Sequence, residues 1–305
     1  MELITVFFTY FWRRLGRVWW QVALVAMIGY LPIDLVSNFV PTLFPEGSVR
    51  DNISVPVDSL LNCLFWSYGI CVIFLVIRES DRLDAAFRRA TSEEPHPDEA
   101  DIPYAMKPVP LPSNLGSAAW ARWAPLWKPI FMEALYSWPR MIWTRFLYGL
   151  VIGMGFLLLC IPGIYVSIKL MVSDIVVVRN RVRGIQALTL SSELTDGQFW
   201  RLFALVIMSS IVWLALFIPY FALYYALGYF FPVIDEPYFW FVYAGIAIPL
   251  NLLVAYLSVF TASTYDFLLW SRQTPESRPY EDFLSYHPSA DGADSRHPLT
   301  QDPAV

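Results

Sequence analysis

Lys169 is the residue placed most oddly for chemistry. It is the only basic side chain between Arg145 and Arg179, inside a long apolar run. Charge at membrane depth is costly, and where it occurs it usually serves pairing or binding. Side chains on a helix lean toward its N-terminus, here outward. The plain reading is that Lys169 snorkels to the outer headgroups or bonds a carbonyl freed by a helix break. Two sharper readings stay open. Lys169 could pair with Asp34, which falls at a comparable height on the first span, or it could bind an anionic substrate or phospholipid headgroup. Asp174 and Asp266 lie about 7–9 Å inside the cytoplasmic ends of their spans, where water reaches them. A proton or cation site is the rival reading for that pair. Arg179, Arg181 and Arg183 form a basic set that either holds anionic lipid headgroups or only fixes orientation.

Other chemistry finds no support. Cys63, Cys71 and Cys160 lie singly in apolar runs without a CxxC or a Cys/His cluster, so they read as small apolar residues. His96, His287 and His297 fall in polar or Pro-rich stretches. No metal, cofactor or catalytic set is therefore expected, and nucleic-acid binding has nothing behind it but charge. The expected partners are membrane lipids and other membrane proteins.

The elements that carry these residues are set by composition. Hydrophobic residues make up 57% of the 305-residue chain and charged residues 15%, against roughly 45–50% and about 25% in soluble domains. The surplus lies in long uncharged runs, which predicts an all-α polytopic membrane protein rather than a large soluble core. Six transmembrane helices are expected, at about 18–40, 57–77, 141–161, 164–178, 199–216 and 238–265. The apolar run behind Arg13, Arg14 and Arg17 imitates a signal peptide but is too long for one, so it is read as a retained span. Pro32 is expected to kink or end it early. The fourth span, at fifteen residues, reaches only ~22 Å, short of a ~30 Å hydrocarbon core.

Interfacial amphipathic helices are expected beside the spans. One covers residues 1–17. A second covers 118–138, where Trp120, Trp123, Trp127, Phe131, Leu135 and Trp138 recur at helical steps and Pro125, Pro129 and Pro139 cut the helix into pieces. Gly149, Gly153 and Gly155 offer a smooth patch for close packing. Pro162-Gly163 is expected to make the turn between spans three and four. A short amphipathic helix follows at 184–195, with Gln186, Thr189, Glu193 and Asp196 on one stripe. Thr195-Asp-Gly-Gln198 has the capping-box pattern of a new helix start.

Six spans place both ends on one side. Of the 21 Lys and Arg residues, all but Arg50 and Lys169 fall on that side or at its edge. The positive-inside rule then puts both termini in the cytoplasm. Four regions result: a two-span N-terminal half at 1–90, a Pro-rich cytoplasmic linker at 91–116, a C-terminal membrane half at 117–272 and a polar tail at 273–305.

Residues 140–220 carry motifs in a recognisable order: Ile161-Pro-Gly-Ile-Tyr165, Lys169, Ile175-Val-Val-Val178, Ala187-Leu188, Ser191-Ser-Glu-Leu-Thr195 and Gly197-Gln-Phe-Trp-Arg201. In this the chain resembles the superfamily named for the membrane domain of glycerophosphoryl diester phosphodiesterases, which includes many six-span bacterial membrane proteins. That family has an acidic residue after the Val-rich run, where this chain has Arg179-Asn180, and the soluble phosphodiesterase barrel has no counterpart here. The resemblance implies a fold and a setting in the bacterial inner membrane, not a hydrolase. A faint repeat at a shift of 101 residues, aligning Arg78 with Arg179, hints at a two-half build of the kind seen in transporters. The expected role is a non-catalytic scaffold or partner protein in envelope maintenance. The alternative is a transporter of a lipid or small amphiphile.

Overall fold

The computed structural model describes residues 2–39, 64, 66–83, 115–230, 236–273 and 283. Among them the chain is helical, with no strand. In chain order the helices are α1 (Glu2–Phe39), α2 (66–83), α3 (Leu115–Leu158), α4 (Cys160–Lys169), α5 (Ser173–Asn180), α6 (Ile185–Thr195), α7 (Phe199–Phe230) and α8 (Glu236–Gln273). Four stretches are long and apolar enough to cross a membrane: Trp123–Leu158, Cys160–Asn180, Phe199–Pro219 and Leu252–Arg272. These mark the chain as a membrane protein by length and composition. The Pro-rich linker and the polar tail fall almost wholly outside the described residues, as does the loop at 41–56.

The expected interfacial helices are not separate elements. Residues 1–17 belong to α1, which continues past Pro32 to Phe39 as one helix. Residues 118–138 belong to α3, a single helix that passes through Pro125, Pro129 and Pro139. A proline removes one backbone donor, and neighbouring helices can re-satisfy the freed groups in a membrane bundle. The flanking packing is present here. Trp138 Nε1 donates to Leu64 O at 2.7 Å and Tyr68 Oη to Phe131 O at 3.2 Å, clamping α3 to α2.

The core sits toward one end of the bundle. Residues 70–77 of α2 are buried on every face, as are Val176, Val177 and Val178 of α5. α1 and α8 run antiparallel along this core, with Phe7 meeting Phe260 and Phe267, and Phe11 meeting Tyr256, edge to face. Such aromatic pairs add about 0.5–1.5 kcal/mol each beyond their buried area. Most of the side chains on α3 and α7 beyond the core are exposed and apolar, as helices facing lipid must be.

The turn between α3 and α4 lies at Leu159, not at Pro162-Gly163. Leu159 is extended (φ −167°, ψ 149°), and Pro162 falls inside the first turn of α4. That position suits proline, because an N–H there lacks an intrahelical acceptor. Gly163 instead provides room, since a Cβ on it would stand 2.7 Å from the Phe156 ring.

The expected fourth span is two helices. α4 ends at Lys169, and residues 170–172 form a tight turn with Ser173 N donating to Leu170 O at 3.0 Å. The break exposes the Lys169 carbonyl, which accepts from Ser191 Oγ at 3.0 Å and Thr195 Oγ1 at 3.1 Å. This engagement also explains why Thr195 does not cap α7. Its hydroxyl points back into α6 and α4, and it is the last residue of α6. The carbonyl of Gln198 accepts from Leu202 N and starts α7 instead.

The glycine patch divides in two. A Cβ on Gly149 or Gly153 would meet nothing within 4 Å, whereas one on Gly155 would stand 3.1 Å from the Cα of Gly163. Only Gly155 is needed for close approach. Gly155→Ala is expected to destabilise the detergent-solubilised protein by about 1–3 kcal/mol through overpacking. Gly149→Ala and Gly153→Ala should stay within about 0.5 kcal/mol of the unsubstituted chain. Thermal unfolding of the three variants side by side checks this.

Candidate functional site

The buried end of the bundle holds a ring of four charged side chains, one from each of four helices. Arg14 comes from α1, Asp81 from the end of α2, Arg179 from the end of α5 and Asp266 from α8. Arg14 donates through Nη1 to Asp266 Oδ2 and through Nη2 to Asp81 Oδ2. Arg179 donates through Nη1 to Asp266 Oδ1 at 2.6 Å and through Nη2 to Asp81 Oδ2 at 3.2 Å. Cation and anion alternate around the ring, so the group is neutral. Arg14 and Asp266 are 0% exposed, the former among the largest fully buried side chains. Asp81 and Arg179 keep a narrow contact with solvent.

Aromatic rings line this site. The Arg14 guanidinium lies 5.9 Å from the Tyr10 ring centre and that of Arg179 5.3 Å from Tyr265. Tyr265 Oη donates to Asn180 Oδ1 at 2.9 Å. Phe283, far along the chain, packs on Tyr10, Phe267 and Trp270 with ring centres 4.5, 5.3 and 5.4 Å away. It closes the ring off from that direction.

In this arrangement both carboxylates bond guanidinium groups that cannot release a proton, Asp266 through both oxygens and Asp81 through Oδ2. Asp266, buried with both oxygens bonded, is not free to act as a general base or to hold a cation. Among the described residues no group of His, Cys, Asp and Glu could hold a metal ion. What the ring does is tie α1, α2, α5 and α8 at one point. Removing one partner of a buried pair leaves an uncompensated charge and costs about 3–5 kcal/mol.

Three further ion pairs extend the tie. Arg78 grips Glu133 with two bonds, Nη1 to Oε1 at 2.9 Å and Nη2 to Oε2 at 2.6 Å, joining α2 to α3. Arg145 on α3 donates to Asp174 on α5 at 2.7 Å. Lys169 Nζ donates to Asp196 Oδ1 at 2.8 Å and lies 5.5 Å from the Tyr165 ring centre.

These positions revise several expectations. Lys169 is held by a carboxylate of its own half of the chain. It points back to Asp196, beside the start of α7, because the helix break lets α6 return to its level. The side chain of Asp34 lies outside the described residues. Asp266 is not a water-reached edge residue, and it faces Arg14 and Arg179 rather than Asp174. The set Arg179, Arg181 and Arg183 does not act together. Arg179 is buried in the ring, Arg181 adopts a left-handed conformation (φ 56°) and reaches Glu133 at 3.3 Å, and Arg183 is exposed.

Arg14 and Asp81 were not singled out by sequence reasoning, yet Arg14 carried a signal. It falls three residues after Phe11, four after Tyr10 and four before Val18, on the buried stripe of α1, while Arg13 and Arg17 fall off it. A lone arginine on an apolar stripe demands buried anions. Asp81 had no comparable mark, because it sits in a mixed charged segment with Arg78, Glu79 and Arg82.

Arg14→Leu is expected to destabilise the protein by about 3–5 kcal/mol. The double variant Arg14→Leu with Asp266→Leu should lose less than the sum of the singles, because it removes both members of a pair; chemical unfolding in detergent measures the coupling. At the surface, Lys169 holds the Asp196 carboxyl below its usual range, chiefly by the direct hydrogen bond. A lowered folded-state value stabilises above the ordinary carboxylate pKa and loses that contribution as pH falls through the lowered one. The stability difference between the unsubstituted chain and Asp196→Asn should therefore hold from neutral pH down to about pH 4 and fade below it. Unfolding midpoints across pH test this.

Compared with known proteins, the chain matches no family model, no curated protein and no solved structure.

Proposed function

We propose that this chain is a non-catalytic, multi-pass protein of the bacterial cytoplasmic membrane, with both termini in the cytoplasm, serving as a scaffold or partner protein in envelope maintenance. The observation that carries the reading is the closed ring of Arg14, Asp81, Arg179 and Asp266. A transporter needs buried polar groups that exchange protein partners for substrate. Here the charged groups of the core are spent on each other. Lys169, the one intramembrane cation that the sequence offered to an anionic substrate, is engaged by Asp196.

The orientation rests on the lopsided placement of Lys and Arg, and the bacterial setting on the resemblance of residues 140–220. The exposed apolar side chains of α3 and α7 suit lipid and neighbouring membrane proteins.

The test is flux and turnover in reconstituted vesicles. Proteoliposomes carrying a headgroup-fluorescent phospholipid should bleach with an impermeant reductant to the same extent as protein-free vesicles. Incubation with a glycerophosphodiester should release no product above background. Bleaching beyond the protein-free level that disappears in Lys169→Ala would replace this reading with the transporter of a lipid or small amphiphile.

A further inference from the structure

The α3–α4 hairpin turns in the wrong kind of sequence for water. A turn that emerges among headgroups carries polar side chains. Between Arg145 and Lys169 there is no Asp, Glu, Lys, Arg, Asn or Gln at all. Among the described residues the tip is also the most exposed apolar surface, with Leu157 87% and Ile161 80% exposed.

Its backbone is fit for hydrocarbon as well. Irregular backbone facing lipid is excluded unless its polar groups are satisfied. The turn is a single residue, and Leu159 keeps both its groups in helix-like bonds. Its N–H donates to Gly155 O at 3.1 Å, and its carbonyl accepts from Gly163 N at 3.3 Å. Pro162 removes another donor from the first turn of α4, where it would lack an acceptor.

The water level is set at the other end of the hairpin. Lys169 bonds Asp196, whose side chain is 72% exposed. Gln198 and Arg201, which bond each other, adjoin it on the exposed start of α7. This polar group belongs among headgroups or in water. From Lys169 to the tip, α4 has 10 residues. That is ~15 Å of helix, half of a ~30 Å core.

α7 provides an internal ruler. Tyr165 packs on Phe199 at the start of α7 with ring centres 4.9 Å apart. The tip at Cys160 thus reaches only ~8 Å higher, about five residues into α7. α7 runs on to Phe230 with no charged residue after Arg201.

We propose that α3–α4 is a re-entrant hairpin. It enters and leaves the bilayer on the Lys169 face, and its tip is seated in the acyl chains of that one leaflet. The expected third and fourth spans then cease to be crossings. The number of crossings stays even, so both termini remain on one side. The proposal depends on the membrane setting and not on the scaffold role.

The native Cys160 at the exposed tip is the reporter. The full chain is reconstituted in phosphatidylcholine–phosphatidylglycerol vesicles and treated with a membrane-impermeant maleimide on the outside alone, then on both faces after freeze–thaw. The Cys160→Ala variant subtracts the other cysteines. Cys160 should stay unlabelled in both treatments and label fully once detergent is added, while a Gln198→Cys variant labels without detergent. A bimane on Cys160 should be quenched more by a nitroxide deep in the acyl chain than by one on the headgroup. Labelling of Cys160 from either face, dominant headgroup quenching, or a silent Gln198→Cys would overturn the hairpin.

Discussion

A guanidinium withdrawn from water has to meet anions inside the protein, because its pKa is too high for it to shed the charge. Arg14 imposes that constraint on this fold. Its side chain is completely buried, and the bundle answers with carboxylates from two other helices, Asp81 and Asp266. Two carboxylates around one cation would leave a net negative charge in the core. Arg179 restores neutrality and closes the ring. The helices that carry these four residues are distant in sequence, so the ring can form only when all four are docked. Whether such a ring adds net stability over an apolar core is a separate matter, since desolvation offsets much of the attraction. What it adds without question is register, because a sliding of α1, α2, α5 or α8 would strand a charge.

The rest of the bundle obeys a related rule for the backbone. In lipid each N–H and C=O needs an internal partner. At the break after Lys169, the freed carbonyl is met by two hydroxyls from α6. At the α3–α4 turn, a one-residue reversal keeps both groups of Leu159 bonded. The prolines of α3 are absorbed without ending the helix. In each place a feature that would make a loop in water becomes a local adjustment inside a helical frame.

Much of the architecture was legible from the residues. The helical class and membrane setting follow from uncharged runs such as 146–168 and 202–234, which no soluble core of this size would need. The short fourth span was also legible as an anomaly, since fifteen residues cannot traverse the core. Its resolution was not. The sequence shows Ser191 and Thr195 as polar residues on a small helix, but not that they reach back to Lys169. The prolines at 125, 129 and 139 misled, because proline's effect on a helix depends on neighbours that a linear reading does not supply.

By its composition and spacing alone, the sequence determined that the chain is helical, apolar enough for lipid, and asymmetric in its basic residues. These are properties of local runs, and local runs are read directly. Only the tertiary structure decided which charges meet: Arg14 rather than Arg13 or Arg17 in the core, Asp266 with two arginines rather than with water, Lys169 with Asp196. Such pairings join residues 27 to 252 positions apart. Coulomb attraction falls with distance in space and is blind to distance along the chain.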